Sequence, residues 1–248
     1  MRLLITGLNG TLAPRVAEAA AAAGWTVTGW DRQAVPPDDA GCALAWLQSE
    51  RLDAIAHLAM GGEAWAGLLA GHAAAAGLPM VFTSTAMVFD AEPDGPHRPG
   101  DPRTARDDYG RSKIRCEDAV QTAHPQASVL RIGWQIDPER PGNNMLVQLD
   151  GWQQREGEVA ASTAWRPACS FMTDTAAAIV DLLARPQPGL RHLDSNADEG
   201  HHFGAVVQAL RRHFGRADWR VREHAGYAHD QRLVDGLPVP PLSARLPL

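Results

Sequence analysis

Short apolar runs alternate with longer helix-like stretches over the first half of the chain. The runs have the length and residue types of buried strands, and they fall at residues 2–6, 25–30, 53–59, 79–83 and 128–132. Strands that alternate with helices are typical of parallel βαβ units, so the pattern predicts an α/β fold with a doubly wound parallel sheet. In such a sheet the ligand site lies at the carboxyl ends of the strands.

A glycine-rich turn follows the first apolar run directly. Gly7 permits a tight turn, Gly10 lets the backbone approach a pyrophosphate, and the small Ala13 lets the next helix pack closely on the strand. The amide groups at the start of that helix suit a phosphate. The turn therefore predicts a Rossmann-type, dinucleotide-binding domain. A plain strand-to-helix turn is the alternative.

The second apolar run ends at Asp31 and Arg32, where domains of this type bind the adenosine ribose. Asp31 favours NAD, because its carboxylate would accept hydrogen bonds from the ribose hydroxyls and would repel a 2′-phosphate. Arg32 could hold that phosphate instead. Asp31 thus favours NAD and Arg32 favours NADP, so the sequence leaves both cofactors open. A solvated strand end is the remaining alternative.

The fourth run ends in hydroxyl residues, and a helix-like stretch with Tyr109 and Lys113 follows after a loop rich in Pro and Gly. Residues four apart share one helix face, so both side chains point into one space, which Thr85 can reach from the strand end. A free phenol is a poor acid at neutral pH, and a neighbouring ammonium lowers its pKa. Such a set can reduce a carbonyl group beside a hydride carrier. The Tyr and Lys spacing alone is a frequent chance match.

The pattern changes after about residue 133. The predicted elements there are helices at residues 142–154, 172–183 and 203–214, and a short strand near Val159. We therefore predict a dinucleotide-binding domain over residues 1–133, followed over residues 134–248 mostly by a small C-terminal substrate-binding lobe. The helix at residues 172–184 is expected to return to the main sheet.

Composition argues against several classes of protein. The 248 residues, 45% of them apolar, are enough for a sizeable core. A net charge of −6 and the lack of a Lys/Arg run argue against nucleic-acid binding. No apolar run is long enough to span a membrane, and the first strand begins at Arg2, which leaves no room for a signal peptide. We therefore expect a cytoplasmic protein with no membrane or nucleic-acid partner.

The cysteines and histidines do not predict a metal site. Cys42, Cys116 and Cys169 have neither metal-ligand nor redox spacing, which fits a reducing compartment. Among the ten histidines, the adjacent pair His201 and His202 reads as the start of a helix rather than as ligands. No metal is expected.

Several segments together match a known family. Four of them, at residues 6–13, 57–59, 84–90 and 109–113, resemble the extended short-chain dehydrogenase/reductases. Within these enzymes the chain is most similar to the dTDP-4-dehydrorhamnose reductase group of nucleotide-sugar reductases. Further segments similar to that group are Leu-Arg-x-x-Trp at residues 130–134, Gly-x-Asn at 142–144 and Pro-Gly-Leu-x-His-Leu at 188–193.

The resemblance implies a hydride-transfer site. Tyr109 would be the general acid in reduction, Lys113 would bind the nicotinamide ribose and tune Tyr109, and Thr85 would orient the substrate carbonyl. With Tyr109 and Lys113, the implied contacts of an NADP or NAD cofactor are Gly7, Asn9, Gly10, Thr11, Leu12, Asp31, Arg32, Leu58, Ala59, Met60 and Thr83. The implied substrate contacts are Ser84, Thr85, Trp134, Asn143 and Asn144.

Other interpretations of these residues stay open. Trp134 suits a core position equally well, and Asn143 or Asn144 suits an ordinary helix cap. The implied partner is a small sugar or sugar nucleotide, and a homodimer is left open.

The chain departs from the family in two places. Relatives carry an Asn after the third strand that supports the catalytic Lys through a water molecule, whereas no Asn occurs here between Asn9 and Asn143. At Pro36 the family often has an Asp near the adenine. The sequence therefore leaves open what supports Lys113 and how the nucleotide is recognised.

Three functions are consistent with these residues. The first is an NAD(P)H-dependent reductase of a keto-sugar, which the joint presence of the glycine turn and the Thr85, Tyr109 and Lys113 set favours. The second is a related sugar epimerase, dehydratase or dehydrogenase; a 4,6-dehydratase would need an acidic residue directly after Thr85, where Ala86 stands. The third is a non-catalytic NAD(P)-binding regulatory subunit, which would have no need to keep Tyr109 and Lys113.

Overall fold

The computed structural model describes all 248 residues, and they fold into two compact units. Unit 1 comprises Met1–Thr85, Asp107–Arg131 and Thr175–Arg191. Unit 2 comprises Ala86–Arg106, Ile132–Asp174 and His192–Leu248. The predicted division kept residues 86–106 with the first part of the chain, whereas they fold with unit 2.

Helices and strands alternate along the chain as far as β5, and several strands follow one another after it. The strands are β1 (Arg2–Thr6), β2 (Thr26–Gly29), β3 (Ala54–His57), β4 (Met80–Thr85), β5 (Ser128–Ile132), β6 (Trp134–Ile136), β7 (Val159–Ser162), β8 (Trp165–Arg166), β9 (Cys169–Phe171), β10 (Gly189–Leu193), β11 (Val221–His224) and β12 (His229–Asp230). The helices are α1 (Ala13–Ala22), α2 (Ala40–Ser49), α3 (Glu63–Ala76), α4 (Asp108–Ala123), α5 (Met145–Glu156), α6 (Met172–Ala184) and α7 (Phe203–His213). Two short 3-10 helices lie at Ala86–Phe89 and Leu242–Ala244.

A six-stranded parallel sheet with the order β2-β1-β3-β4-β5-β10 forms the centre of the α/β fold. β1 pairs in parallel with both β2 and β3, so the strand order reverses between β1 and β3. In doubly wound sheets a ligand crevice opens at such a reversal, outside the carboxyl ends of the strands. The predicted doubly wound parallel sheet is confirmed.

Two differences from the predicted elements concern this sheet. β4 runs on to Thr85 instead of ending at residue 83, so both hydroxyl residues still belong to the strand. The edge strand β10 was not predicted, because its sequence Gly-Leu-Arg-His-Leu carries too few apolar residues to read as a buried run.

The core of unit 1 lies along the central strands. Leu3, Leu4 and Ile5 of β1 are fully buried, and the Ala-rich faces of the helices let α3 pack closely beside α4. Each of these aliphatic side chains contributes about 1.5–3 kcal/mol when fully buried. Asp107 caps α4, since its Oδ1 accepts a hydrogen bond from the amide of Gly110 at 2.6 Å.

Unit 2 has its own core, built by α5, α7 and three two-stranded pairs. The pairs are β6 with β9, β7 with β11, and β8 with β12, and all three are parallel. Trp219 is the largest fully buried side chain, and its indole nitrogen donates to Asp150 Oδ1 at 2.8 Å. Most of these strands were not predicted, because two to four residues carry no readable period.

No helix in either unit combines the length and the apolarity that crossing a membrane requires.

Candidate active site

Gly7 makes the turn between β1 and α1 in a conformation that suits glycine. Its φ is +86°, and a Cβ placed there would lie 3.0 Å from Ala59 Cα and 3.1 Å from Ala59 N. Both the backbone angle and the close approach therefore exclude a larger side chain. The amide of Gly10 donates to the carbonyl oxygen of Gly7 at 2.8 Å, which closes the turn. A cradle with this geometry is what the sequence predicts for residues 7–12.

The first turn of α1 carries no side-chain cap. Leu12 stands at the N-cap position, Pro14 follows within the first turn, and no acidic residue lies there. Most helices satisfy their first amide groups with a Ser, Thr, Asp or Asn side chain. Since none does so here, the positive end of the helix is left available to an anion.

The hydroxyl of Thr6 ties β1 to the segment after β3. It accepts hydrogen bonds from the amides of Leu58 and Ala59 at 3.0 and 3.1 Å, and it lies 2.8 Å from His57 Nδ1. The hydroxyl already accepts two hydrogen bonds, so its own proton is available to donate. We infer that Thr6 donates this proton to Nδ1 of a neutral His57 imidazole. Burial lowers the pKa of His57 to about 3, and the charges of Lys113 and Arg32 add to this effect. The family resemblance included Thr6 and His57, but sequence analysis gave neither residue a role in the site.

Asp31 and Arg32 follow β2 and do different work. Asp31 Oδ1 accepts hydrogen bonds from the amides of Gln33 and Ala34 at 2.8 and 3.4 Å, so it shapes the turn after the strand. The guanidinium of Arg32 reaches the carbonyl oxygen of Met60 and lies 4.8 Å above the ring of Trp65. In the structure, Asp31 therefore accepts hydrogen bonds from its own turn, whereas Arg32 reaches across to Met60 and Trp65. Their roles toward a cofactor stay predictions.

A row of five aromatic rings joins α2 and α3 to residues in or next to β2, β3 and β4. Its ring centroids are 4.7–5.4 Å apart, and its members in order are Trp46, Trp30, Trp65, His57 and Phe82. The row has a cation over each of two rings, Arg32 over Trp65 and Lys113 over Phe82 at 4.9 Å. The aromatic faces partly compensate both charges for lost hydration.

Lys113 is buried at the end of β4. Its Nζ donates to the carbonyl oxygen of Thr83 at 3.0 Å. Burial lowers the pKa of Lys113, while the neighbouring Cys116 and Glu117 raise it. The Thr83 carbonyl therefore binds the Lys113 ammonium in a chain that lacks the Asn by which relatives support this Lys. Lys113 is also the only lysine in the sequence, a signal that sequence analysis missed.

Tyr109 and Thr85 are brought together by a hydrogen bond between their side chains. Tyr109 lies in the first turn of α4 and is 40% exposed, whereas Thr85 at the end of β4 is buried. Partial burial of the phenol raises the pKa of Tyr109, Asp107 raises it further, and the bond from Thr85 opposes both. Lys113 is not among the causes of this shift, since its ammonium is bound to the Thr83 carbonyl. That Lys113 tunes the pKa of Tyr109 stays a prediction.

A buried ion pair supports the next turn of α4. Arg131 donates to both carboxylate oxygens of Glu117, at 2.8 and 2.7 Å, and both side chains are fully buried. Glu117 lies four residues after Lys113 and therefore on the same face of the helix. Neither residue was a predicted site residue.

The other predicted residues lie in distinct settings. In unit 1, Ser84 is buried and its hydroxyl has no hydrogen-bond partner, whereas Met60 is exposed. In unit 2, Trp134 stacks on Trp165 at 6.3 Å, with an angle of 26° between the rings.

The two predicted asparagines also belong to unit 2. Asn144 caps α5: its Oδ1 accepts from Val147 N at 3.2 Å, and its Nδ2 donates to Arg140 O at 2.9 Å. The Oδ1 of the exposed Asn143 lies 3.4 Å from Gln148 Nε2. Their roles toward a substrate stay predictions.

Curated relatives are similar to part of the chain. A probable low-salt glycan biosynthesis reductase, Agl14, of Haloferax volcanii is 38% identical over 75 residues, which is 30% of this chain and 25% of that protein. A dTDP-4-dehydrorhamnose reductase of Sinorhizobium fredii is 36% identical over 81 residues, or 33% of this chain and 27% of that protein. The chain thus matches about a quarter of the length of these relatives.

Solved structures share the fold over almost the whole chain. The dTDP-4-dehydrorhamnose reductase of Bacillus anthracis, in complex with NADP, superposes with a TM-score of 0.80 at 16% identity, covering 97% of this chain and 95% of that one. The Bordetella bronchiseptica enzyme WbmH, in complex with NAD+, gives a TM-score of 0.78 at 20% identity, with coverage of 98% and 95%.

A family model fixes the relationship more closely. The model of the RmlD substrate binding domain matches residues 62–217, which is more than half of the sequence. The matched region contains β4 and α4, and with them Thr85, Tyr109 and Lys113. The chain therefore belongs to the RmlD substrate binding domain family.

Proposed function

We propose that this protein is an NAD(P)H-dependent reductase of a keto-sugar, with a nucleotide-linked sugar such as dTDP-4-dehydrorhamnose as its substrate. The observation that carries the proposal is the hydrogen bond between Tyr109 and Thr85, together with a buried Lys113 on the same helix as Tyr109 that is bound to the carbonyl of Thr83 on the same strand as Thr85. A phenol that can donate a proton, next to a hydroxyl that can hold a carbonyl oxygen, suits the reduction of a ketone. Relatives named as dTDP-4-dehydrorhamnose reductases support the choice of substrate.

The residues of unit 1 fit a dinucleotide. The first turn of α1 has no side-chain cap, so a pyrophosphate can approach its amide groups, and the Gly7 turn before it packs against Ala59. Arg32 suits a 2′-phosphate, and Lys113 at the end of β4 suits the hydroxyls of a ribose. The nicotinamide supplies the hydride when bound.

The chain's own groups then have separate tasks. Thr85 fixes the carbonyl oxygen of the sugar, and Tyr109 donates its proton to that oxygen as charge develops on it. A raised pKa of Tyr109 keeps the phenol protonated at neutral pH, which is the form that reduction requires. Lys113, close to the same strand end, offsets the negative charge left on Tyr109 after the transfer.

The place of action and the assembly are further parts of the proposal. All three cysteines are unpaired, which supports a reducing compartment such as the cytoplasm. A homodimer is proposed as the assembly. Sedimentation in an analytical ultracentrifuge at several protein concentrations distinguishes it from a monomer.

The test supplies NADPH or NADH together with dTDP-4-dehydrorhamnose and follows the absorbance of the reduced cofactor. We expect turnover in the wild type and a loss of about 100-fold or more in Tyr109→Phe. Equal turnover in Tyr109→Phe would remove the proposed acid. Binding of a dinucleotide without turnover of any keto-sugar would instead favour a regulatory subunit, and interconversion of sugar epimers with copurified NAD would favour an epimerase.

A further inference from the structure

The segment of unit 2 that contains β12 presents two different sets of side chains. Asp230 and Arg232 form an ion pair at 2.7 Å, and Arg232 also donates to the carbonyl oxygen of Ala197 at 2.9 Å. Tyr227, His229 and Gln231 alternate with these two residues along the chain, and their contacts lie elsewhere. The ion pair anchors the segment and leaves the other set available for a different task.

The second set is joined to an aromatic side chain on the neighbouring strand. Trp165 pairs with His229 in the parallel register of β8 and β12, and its indole nitrogen donates to Gln231 Oε1 at 2.9 Å. The rings of Trp165 and Tyr227 meet edge to face at 5.5 Å. We call Trp165, Tyr227, His229 and Gln231 the Tyr227 face.

Tyr227 is held firmly although it is 44% exposed. Its hydroxyl lies 2.8 Å from Nδ1 of the buried His229, and its carbonyl oxygen accepts from Ser162 Oγ at 2.6 Å. Burial lowers the pKa of His229, so the ring is neutral at pH 7 and can share this hydrogen bond. An exposed aromatic ring with a fixed orientation is suited to stacking, because little conformational entropy is lost when a ligand covers it.

Gln231 has hydrogen-bonding capacity left. Its Nε2 makes only long contacts, 3.4 Å to Asp90 Oδ1 and 4.0 Å to Met87 Sδ. A ligand hydroxyl at a normal distance of about 2.9 Å would be a better acceptor than either. Asp90 itself is a strong acceptor for a hydroxyl proton. Polar groups of this kind around an aromatic ring match the hydroxyls and the C–H face of a sugar ring.

The hydrogen-bonding groups of the Tyr227 face favour the sugar over the other parts of a nucleotide sugar, because Gln231 Nε2 can donate to a hydroxyl and the neighbouring Asp90 can accept from one. Tyr227, His229 and Gln231 lie after the region 62–217 that matches the family model.

We propose that the Tyr227 face is a recognition site for the hydroxylated pyranose ring of the substrate, with Tyr227 stacking on the ring and with Gln231 and Asp90 binding its hydroxyls. The proposal rests on the keto-sugar reductase function. It adds the residues that select the sugar, as distinct from those that transfer hydride and proton.

The test compares the binding of dTDP-rhamnose and dTDP by isothermal titration calorimetry in the full-length protein. In Tyr227→Ala and Gln231→Leu we expect the Kd for dTDP-rhamnose to rise about 5- to 10-fold, while the Kd for dTDP changes less than 2-fold. Tyr227→Phe keeps the aromatic ring, so its Kd for dTDP-rhamnose is expected to rise less than that of Tyr227→Ala. Val147→Ala, which trims another exposed apolar side chain of unit 2, is the control and should bind like the wild type.

The outcomes separate this proposal from the function on which it rests. An unchanged Kd for dTDP-rhamnose in Tyr227→Ala, or an equal loss for dTDP, overturns the Tyr227 face even when the wild type reduces its keto-sugar. A wild type that neither binds dTDP-rhamnose nor reduces a keto-sugar overturns the reductase function, and the Tyr227 face with it. Gln231→Leu also removes the acceptor of the Trp165 indole, so the melting temperature of this variant is measured alongside its Kd. If Gln231→Leu is unfolded, the Kd of Tyr227→Ala alone decides the test.

Discussion

Lys113 donates a hydrogen bond from Nζ to the carbonyl oxygen of Thr83 at 3.0 Å, across 30 residues of chain. Every other Lys or Arg position in the sequence, out of 23, is an arginine. An ammonium on a slender stem can be satisfied by one carbonyl, an aromatic face and a ligand, whereas a guanidinium brings five donors in a rigid plane. The local geometry therefore explains why lysine stands at this one position.

Substitutions at Lys113 should separate charge from shape. We expect both Lys113→Arg and Lys113→Met to lower kcat by about 100-fold or more, because neither side chain can place an ammonium at the strand end. Reductive turnover is the measurement, with thermal unfolding to show that each variant is folded. Arg115→Met is the control. It removes an exposed charge from the same helix as Lys113, one that pairs with Glu63 of α3, and its kcat should stay near that of the wild type. Lys113→Arg activity within about 3-fold of wild type would contradict the argument.

The pKa of Tyr109 can be measured directly, because the chain has only two tyrosines. In a Tyr227→Phe variant, the change in absorbance near 295 nm on raising the pH reports Tyr109 alone. We expect a midpoint above 10 for the cofactor-free protein, because partial burial and Asp107 both disfavour the phenolate. A midpoint below about 9 would show that Lys113 stabilises the phenolate without a cofactor, against the observed position of its ammonium.

The local sequence pattern predicted the sheet and the glycine turn, because both depend on residues that are close together in the chain. Gly7 and Gly10 lie three residues apart, and the four inner strands β1, β3, β4 and β5 each contain a short apolar run. The Tyr109 and Lys113 pair was readable for the same reason, since helical spacing alone places both on one face.

The rest of the site depends on pairs that are far apart in sequence. His57 meets Thr6 across 51 residues, and a backbone carbonyl, which no sequence displays, holds Lys113. The Tyr227 face likewise needs Trp165 to meet Gln231 across 66 residues. No local period announces such pairs, so only the folded chain reveals them.

Gly7→Ala and Gly24→Ala form a matched pair. Both glycines have positive φ, +86° and +78°, but a Cβ at Gly24 meets nothing within 4 Å, whereas one at Gly7 collides with Ala59. We expect Gly24→Ala to lower the free energy of unfolding by about 1 kcal/mol through backbone strain alone, and Gly7→Ala by about 3 kcal/mol. Urea unfolding measures both values.

The same pair also tests the cradle. NADPH affinity should fall only in Gly7→Ala, because Gly24 lies at the far end of α1 from the turn. Equal losses of affinity in the two variants would show that strain in general, rather than the approach of the backbone to a ligand, determines binding.

Arg32 should decide the choice of cofactor. Trp65 supports its guanidinium at the ends of β2 and β3, while one carboxylate oxygen of Asp31 is bound by the turn amides. We therefore expect a preference for NADP, and Arg32→Ala should raise the Kd for NADPH about 10-fold or more while that for NADH changes less than 2-fold. Fluorescence titration of both cofactors is the measurement. Parallel losses for the two would exclude a specific contact with the 2′-phosphate.

His57 should make unit 1 sensitive to acid. Its pKa is 6.5 in an unfolded chain and about 3 in the folded one, so the unfolded state binds more protons between these values, and the stability conferred by the neutral ring is complete above pH 6.5. As the pH falls toward 3 that stability is lost, up to about 4 kcal/mol. Asp194 acts in the opposite direction, because burial raises its pKa to about 7 and folding then favours the protonated carboxyl. The measurement is therefore a difference between variants.

We expect the free energy of unfolding to fall less between pH 7 and pH 5 in His57→Asn than in the wild type. An Asn side-chain oxygen can still accept the proton of Thr6, but it has no group that titrates in this range. His213→Asn, at an exposed position in unit 2, is the matched control and should follow the wild type. Identical slopes for His57→Asn and wild type would mean that protonation of another group governs the acid response, and that Thr6 does not depend on a neutral imidazole.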